Sequence, residues 1–204
     1  RGWHSRGYLP HRDELHLLQS ITFRLADSLP QSKLHQLEAI VAALPTDQQA
    51  NHKRVQIEAW LDAGIGCCAL SHPALAAKVQ DALLHHDGER YRLLTWCVMP
   101  NHVHVLIRPL EPLSGIVQSW KSFTGRWALQ RNAELELGVP KGQKSFWMRD
   151  YWDRFIRNEK HLRSVIDYIH ENPVKAGLCA APEKWRWSSA SLGMPSSRSA
   201  PPIH

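Results

Sequence analysis

The chain predicts an α+β fold, in which short antiparallel strands sit beside segregated helices. Two adjacent apolar runs, 91–98 and 102–108, are joined by a tight Pro100-Asn101 connection, which reads as a β-hairpin. Several longer stretches carry apolar residues at helical spacing. Along the chain the elements run strand, helices, two strands, helix, strand, helix, with no internal repeat.

Each element has a local reason. Residues 1–13 are basic and aromatic with Gly2, Gly7 and Pro10, and read as an irregular arm. The alternating, β-branched run 19–25 predicts a strand, closed by Asp27-Ser28-Leu29-Pro30. Apolar residues at 34, 37, 40, 41 and 44 predict a helix over 32–44, and a second follows from Pro45 to Leu61. Gly64-Ile65-Gly66 breaks the pattern, and Pro73 opens a third helix that runs to His85. Asp87-Gly88 is a turn before the hairpin. Pro112 starts a helix to about residue 131. Gly138, Pro140 and Gly142 predict a mobile loop over 132–146, and 146–156 reads as an edge strand. A last helix begins at Glu159 and is expected to end at Asn172, because Pro173 disfavours helix at the residue before it. The Ser- and Pro-rich tail 191–204 is expected to be flexible.

Composition narrows the function classes. At 204 residues, 43% of them hydrophobic, the chain suits one domain over 1–190 with a real core. Mean hydropathy is −0.39, and no run approaches the roughly 18 apolar residues of a membrane span. No signal peptide is visible at the start, so a cytoplasmic location is expected. Net charge is +6 with a pI near 9.3, which favours a polyanionic partner. The four cysteines form no C-x-x-C pair and are expected to be reduced, buried or partly buried thiols. Most of the nine tryptophans are expected in the core, although an exposed one can stack on unpaired bases.

Two segments carry candidate chemistry. In Pro100-Asn101-His102-Val103-His104-Val105 the histidines stand two apart on a strand, so they share a face. In Asp167-Tyr168-Ile169-His170-Glu171-Asn172-Pro173, Tyr168 and Asn172 stand one helical turn apart and also share a face. Two imidazoles, a phenol and a carboxamide can thus converge on one metal-assisted nucleophilic site. Spacing alone does not decide this: 13 histidines in this length give about 0.8 such pairs by chance. The alternative is a pair of hydrogen-bonded structural histidines, with Tyr168 and Asn172 in ordinary helix-end roles. His170 lies on roughly the opposite helix face and reads as structural or phosphate-contacting.

Apolar-His-apolar-His-apolar on a strand followed by Tyr-x-x-x-Asn on a helix resembles the HUH endonucleases with one catalytic tyrosine. Further pieces match in order: Arg6-Gly7-Tyr8-Leu9-Pro10-His11, Ile21-Thr22-Phe23-Arg24-Leu25, Trp120-Lys121-Ser122-Phe123-Thr124, Tyr151-Trp152-Asp153-Arg154-Phe155 and Trp185-Arg186-Trp187-Ser188-Ser189. Together they resemble the REP-associated tyrosine transposases, a branch of the IS200/IS605 type. The resemblance implies a ferredoxin-like antiparallel sheet with helices packed on it. It implies Tyr168 as the nucleophile, and His102, His104 and Asn172 as ligands of one divalent cation, Mg2+ or Mn2+. It also implies nicking and joining of single-stranded or hairpin DNA through a 5′-phosphotyrosine, by a monomer at the bacterial nucleoid. Lys121, Arg126, Arg154, Arg157, Arg6 and Arg12 are candidates for the DNA backbone. Three rivals remain open: a replication initiator or relaxase of the HUH class, a catalytically silent hairpin-binding protein or repressor, and a metal phosphoesterase without a covalent intermediate.

Overall fold

The computed structural model describes residues 3–5, 10–12, 15–29 and 31–193. Four antiparallel strands form the sheet: β3 (Gln19–Arg24), β4 (Tyr91–Val98), β5 (His102–Pro109) and β6 (Trp152–Phe155), in the order β4-β5-β3-β6. A separate pair, β1 (Trp3–Ser5) and β2 (Pro10–Arg12), is antiparallel, so the expected irregular arm is instead a small two-strand ladder there. The helices are α1 (Gln31–Ala42), α2 (Thr46–Asp62), α3 (Pro73–His85), α4 (Leu113–Arg131) and α5 (Glu159–Lys175). The α+β architecture expected from the element order is thus observed.

Side-chain alternation along the central strands builds two cores. Ile21 and Phe23 of β3 and Val103, Val105 and Ile107 of β5 face α3 and α4, where Trp120, Leu75 and Val79 meet them. Leu106 and Cys97 face the other way, onto Leu162, Val165, Ile166 and Ile169 of α5. Both faces of β5 are covered, which explains a strand apolar at nearly every position. His102 and His104 have the parity of Leu106, so they lie on the α5 side. A third cluster, Leu29, Leu37, Val41, Ile57 and Leu61, joins α1 and α2, with Trp152 packed against it.

Two expectations fail for stated reasons. Helix α5 does not stop at Asn172: it includes Pro173 and runs to Lys175. Proline removes one hydrogen bond there, but Asn172 and Pro173 are buried, and Ala176 N–H still donates to Asn172 O at 3.0 Å. Gly177, at φ +70°, ends the helix in the left-handed region that favours glycine. Nor is 132–146 a loose loop. The Asn132 amide donates to Val139 O at 3.0 Å and accepts from Val139 N–H at 3.1 Å, and Leu137 and Val139 are buried. The helix starts at Pro73 and Glu159 are as expected, and each is capped: the His72 ring accepts from Ala74 N–H ahead of Pro73, and Asn158 Oδ1 accepts from His161 N–H at 2.9 Å at the start of α5. All of the tail beyond Gly193, residues 194–204, lies outside the described residues.

The motif Trp185-Arg186-Trp187-Ser188-Ser189 closes the free edge of β4. Val98 N–H donates to Trp187 O at 2.9 Å, and Trp185 Nε1–H donates to Val98 O at 2.9 Å. His170 belongs to this strap: its Nε2 lies 2.7 Å from Thr95 Oγ1 and 2.8 Å from Ser189 Oγ, all buried. Its role is structural. Trp96, Trp120 and Trp147 are core residues. All four cysteines are free, with Cys97 buried and the other three partly so, as expected.

Candidate active site

The hairpin turn delivers the two histidines. Met99 N–H donates to His102 O at 2.9 Å, closing the turn, and the rings of His102 and His104 stand side by side with centroids 4.6 Å apart. Both side chains are about 1% exposed. Burial pushes the His102 imidazole well below its ordinary value, helped by His104, and burial holds His104 down to about 3. Both rings are therefore neutral at physiological pH, the form that ligates metals.

Their outer nitrogens are anchored. The Asn101 amide donates through Nδ2 to Ile65 O at 2.9 Å, which turns Oδ1 toward His102 Nδ1 at 2.7 Å. A carboxamide oxygen only accepts, so His102 carries its hydrogen on Nδ1 and presents a bare Nε2. His104 Nδ1 lies 2.8 Å from Thr22 Oγ1, its cross-strand partner. A hydroxyl both donates and accepts, so Thr22 serves either tautomer of His104. The two Nε2 atoms face each other at 2.9 Å. With His102 Nε2 bare, His104 Nε2–H donates across this gap, and a shift of that hydrogen to Nδ1, which Thr22 accommodates, would leave both nitrogens able to ligate.

Helix α5 supplies the phenol. The Tyr168 ring meets His104 edge-on at 5.3 Å between centroids, and Lys175 Nζ lies 5.2 Å from the same ring. Asn172 stands one turn further on the same face. It is fully buried, and neither Nδ2 nor Oδ1 makes a hydrogen bond. A buried amide without partners is costly, and its presence points to a ligand. The donor set also fits a hexacoordinate ion: neighbouring donors ~2.1 Å from such an ion stand ~3.0 Å apart, close to the gap between the two imidazoles. Among the described residues, no three His, Cys, Asp or Glu side chains stand grouped as a ready-made metal site.

Three contributors were not picked out from sequence. Asn101 and Thr22 orient the imidazoles; their only signal was adjacency to His102 and a place in the paired strand. Asp62, the last residue of α2, had none. Its Oδ1 is buried, makes no hydrogen bond and lies 3.9 Å from His102 Nε2. Burial, with Glu58, raises its carboxyl to about 6, against the pull of Lys175.

Beside Tyr168 a cavity of about 490 Å³ opens between α2, the β3–β6 edge and α5. Ile57, Leu61 and Trp152 supply apolar wall, and Arg154, His161 and Ser164 polar rim. Arg157, which does not line this cavity, is exposed over the Phe155 ring at 5.6 Å. Lys121 and Arg126 lie elsewhere, in a groove with Lys144 and Arg149. Arg126 is exposed, whereas Lys121 Nζ donates to Arg149 O at 2.6 Å and is lowered to about 8 by burial. Arg6 and the Arg12 side chain lie outside the described residues. No helix among the described residues is long and apolar enough to cross a membrane.

Residues 81–172 match the family model described as Transposase IS200 like. A REP-associated tyrosine transposase of Escherichia coli (strain K12) is 28% identical over 99 residues, covering 48% of this chain and 54% of that protein. A putative REP-associated tyrosine transposase of Haemophilus influenzae is 29% identical over 97 residues, covering 46% and 55%. The chain thus matches about half the length of these curated relatives. A solved structure described as the REP-associated tyrosine transposase bound to a REP hairpin superposes with a TM-score of 0.53 at 18% identity, over 98% of this chain and 94% of that one. That likeness shows a shared fold.

Proposed function

We propose that the chain, whose residues 81–172 match the family model described as Transposase IS200 like, nicks and rejoins single-stranded DNA at REP-type hairpins, with Tyr168 as the nucleophile. The observation that carries this reading is the contact of Tyr168 with His104, on the face where His102 and His104 converge and Asn172 keeps two unbonded amide atoms. A phenol placed against a two-imidazole site serves covalent phosphoryl transfer, whereas a hydrolase has no need of it. The hairpin substrate is supported by the names of the relatives and by the DNA in the neighbouring structure.

His102, His104 and Asn172 hold a divalent cation, Mg2+ or Mn2+, through two imidazole nitrogens and an amide oxygen. When bound, that cation polarises the scissile phosphate and offsets charge developing on its oxygens. Asn101 and Thr22 keep the imidazoles aimed. Tyr168 Oη attacks phosphorus in line; the P–O3′ bond breaks, its electron pair leaves on the 3′ oxygen, and that oxygen takes up a proton. The DNA 5′ phosphate is then esterified to Tyr168. A 3′-OH attacking this ester reverses the step and joins strands without ATP. Lys175 sets a positive charge against the ring whose oxygen gives up its proton. Arg154, with His161 and Ser164, lines the cavity next to Tyr168 and receives the flanking nucleotide. Arg126, Lys121 and Arg157 follow the DNA backbone, joined by Arg6 and Arg12 of the basic arm. The protein acts as a monomer at the nucleoid.

The test is incubation of labelled single-stranded hairpin DNA with the full chain and Mn2+, read on a denaturing gel. Wild type is expected to give a denaturant-resistant protein–DNA adduct that Tyr168→Phe and His102→Ala both abolish. Cleavage that survives Tyr168→Phe establishes hydrolysis instead. Binding to host palindromes without any cleavage establishes the silent DNA-binding reading.

A further inference from the structure

We propose that Asp62 is a ligand of the divalent cation, the one anionic donor beside His102, His104 and Asn172. The inference rests on the reading of the two histidines as a cation site and extends it to an element outside residues 81–172. Helix α2 ends on Asp62, and the segment after it is tied to the histidine turn. Asn101 donates to Ile65 O at 2.9 Å, and Leu70 N–H donates to Pro100 O at 3.0 Å. These bonds hold the end of α2 beside His102.

The carboxylate is unexplained by the rest of the fold. Asp62 Oδ1 is buried without a hydrogen bond, although a buried carboxylate oxygen is among the costliest groups to leave unsatisfied. It points at the same Nε2 that Asn101 keeps bare, from 3.9 Å. Opposite corners of a hexacoordinate shell with donors at ~2.1 Å are ~4.2 Å apart, so the oxygen stands within the span of one shell. A second buried group nearby, the Asn172 amide, is also unbonded. Two imidazoles and an amide alone form a neutral site, and neutral nitrogen sites hold hard Mg2+ or Mn2+ weakly; one carboxylate oxygen supplies the hard anionic donor these ions prefer. Glu58 and Lys175 are the other charged groups acting on Asp62, and their effects are of opposite sign.

The experiment is a Mn2+ titration of the full chain without DNA, followed by the electron paramagnetic resonance signal of free Mn2+, with a thermal melt of each variant as a control for folding. Wild type is expected to bind one ion. Asp62→Asn, which keeps the shape and loses the charge, is expected to bind at least ~10-fold more weakly, the scale of a disrupted metal site. Asp62→Ser repeats the measurement in a smaller side chain. Glu58→Gln removes one negative charge a turn earlier and is expected to stay within about threefold, as a distant screened charge should. Equal affinity in wild type and Asp62→Asn overturns the assignment and leaves the histidine site standing. Equal weakening by Asp62→Asn and Glu58→Gln also overturns it, since a general field then accounts for the effect. Absence of binding by wild type brings down the cation site itself and this inference with it.

Discussion

Acidification tests the two buried imidazoles, and its size follows from their burial. His104 is held down to about 3 in the fold, against an ordinary value near 6.5. A group whose folded value is depressed in this way binds more protons when unfolded, so stability rises with pH between the two values and is lost as pH falls below about 6.5. For His104 alone the loss between pH 7.5 and pH 5 is about 2 kcal/mol, a sizeable part of the ~5–15 kcal/mol typical of a folded domain. His102 is depressed for the same reason and adds to the loss. Asp62 opposes it: its carboxyl is raised to about 6, so protonation through that range stabilises the fold, by about 1 kcal/mol once partial exposure is discounted. The assay is urea unfolding of the cation-free protein at pH 7.5 and pH 5, wild type against His104→Gln. The variant is expected to lose about 2 kcal/mol less than wild type, near 1 M in urea midpoint for a slope of ~2 kcal/mol/M. Parallel losses in the two proteins refute the argument that a buried neutral imidazole at 104 sets the acid sensitivity.

Two further outcomes are expected. Asn172→Leu removes a buried amide whose polar atoms are unbonded, so the cation-free protein should gain about 1–3 kcal/mol and melt several degrees higher in calorimetry while losing the Mn2+-dependent adduct; a lower melting temperature sinks the view of Asn172 as a strained, ligand-directed group. His170→Ala deletes the ring that joins Thr95 to Ser189, and should cost about 1.5–3 kcal/mol in denaturant titration yet still form the adduct on hairpin DNA at 25 °C; loss of the adduct in a folded variant would move His170 into the reaction.

What was legible in the chain is what depends on neighbours in sequence. Period-two alternation put His102 and His104 on one face, and one helical turn put Tyr168 and Asn172 on another, because backbone geometry sets those directions before any packing occurs. Turn and cap residues marked most element ends for the same reason. Pro173 is the instructive exception. Its local cost argues for a helix end at Asn172, but burial of Ile169, His170, Asn172 and Pro173 against the sheet outweighs one missing hydrogen bond, and the helix runs on to Lys175. Likewise 132–146 reads as loose because its glycines and proline are local signals, while the Asn132–Val139 clamp and the burial of Leu137 and Val139 are not.

Only the tertiary structure decided which groups surround the imidazoles. Thr22 reaches His104 across 82 positions of chain, and Ile65 fixes Asn101 across 36. Asp62 reaches His102 only because α2 ends where the histidine turn is tied down. No periodicity encodes such pairings, since they follow from register and from how helices seat on the sheet. Sequence by itself determined the elements, their faces and the residue types offered to the site. Packing determined that the imidazoles are buried and neutral, that the Asn172 amide and one oxygen of Asp62 make no hydrogen bond, and that the phenol of Tyr168 lies against His104.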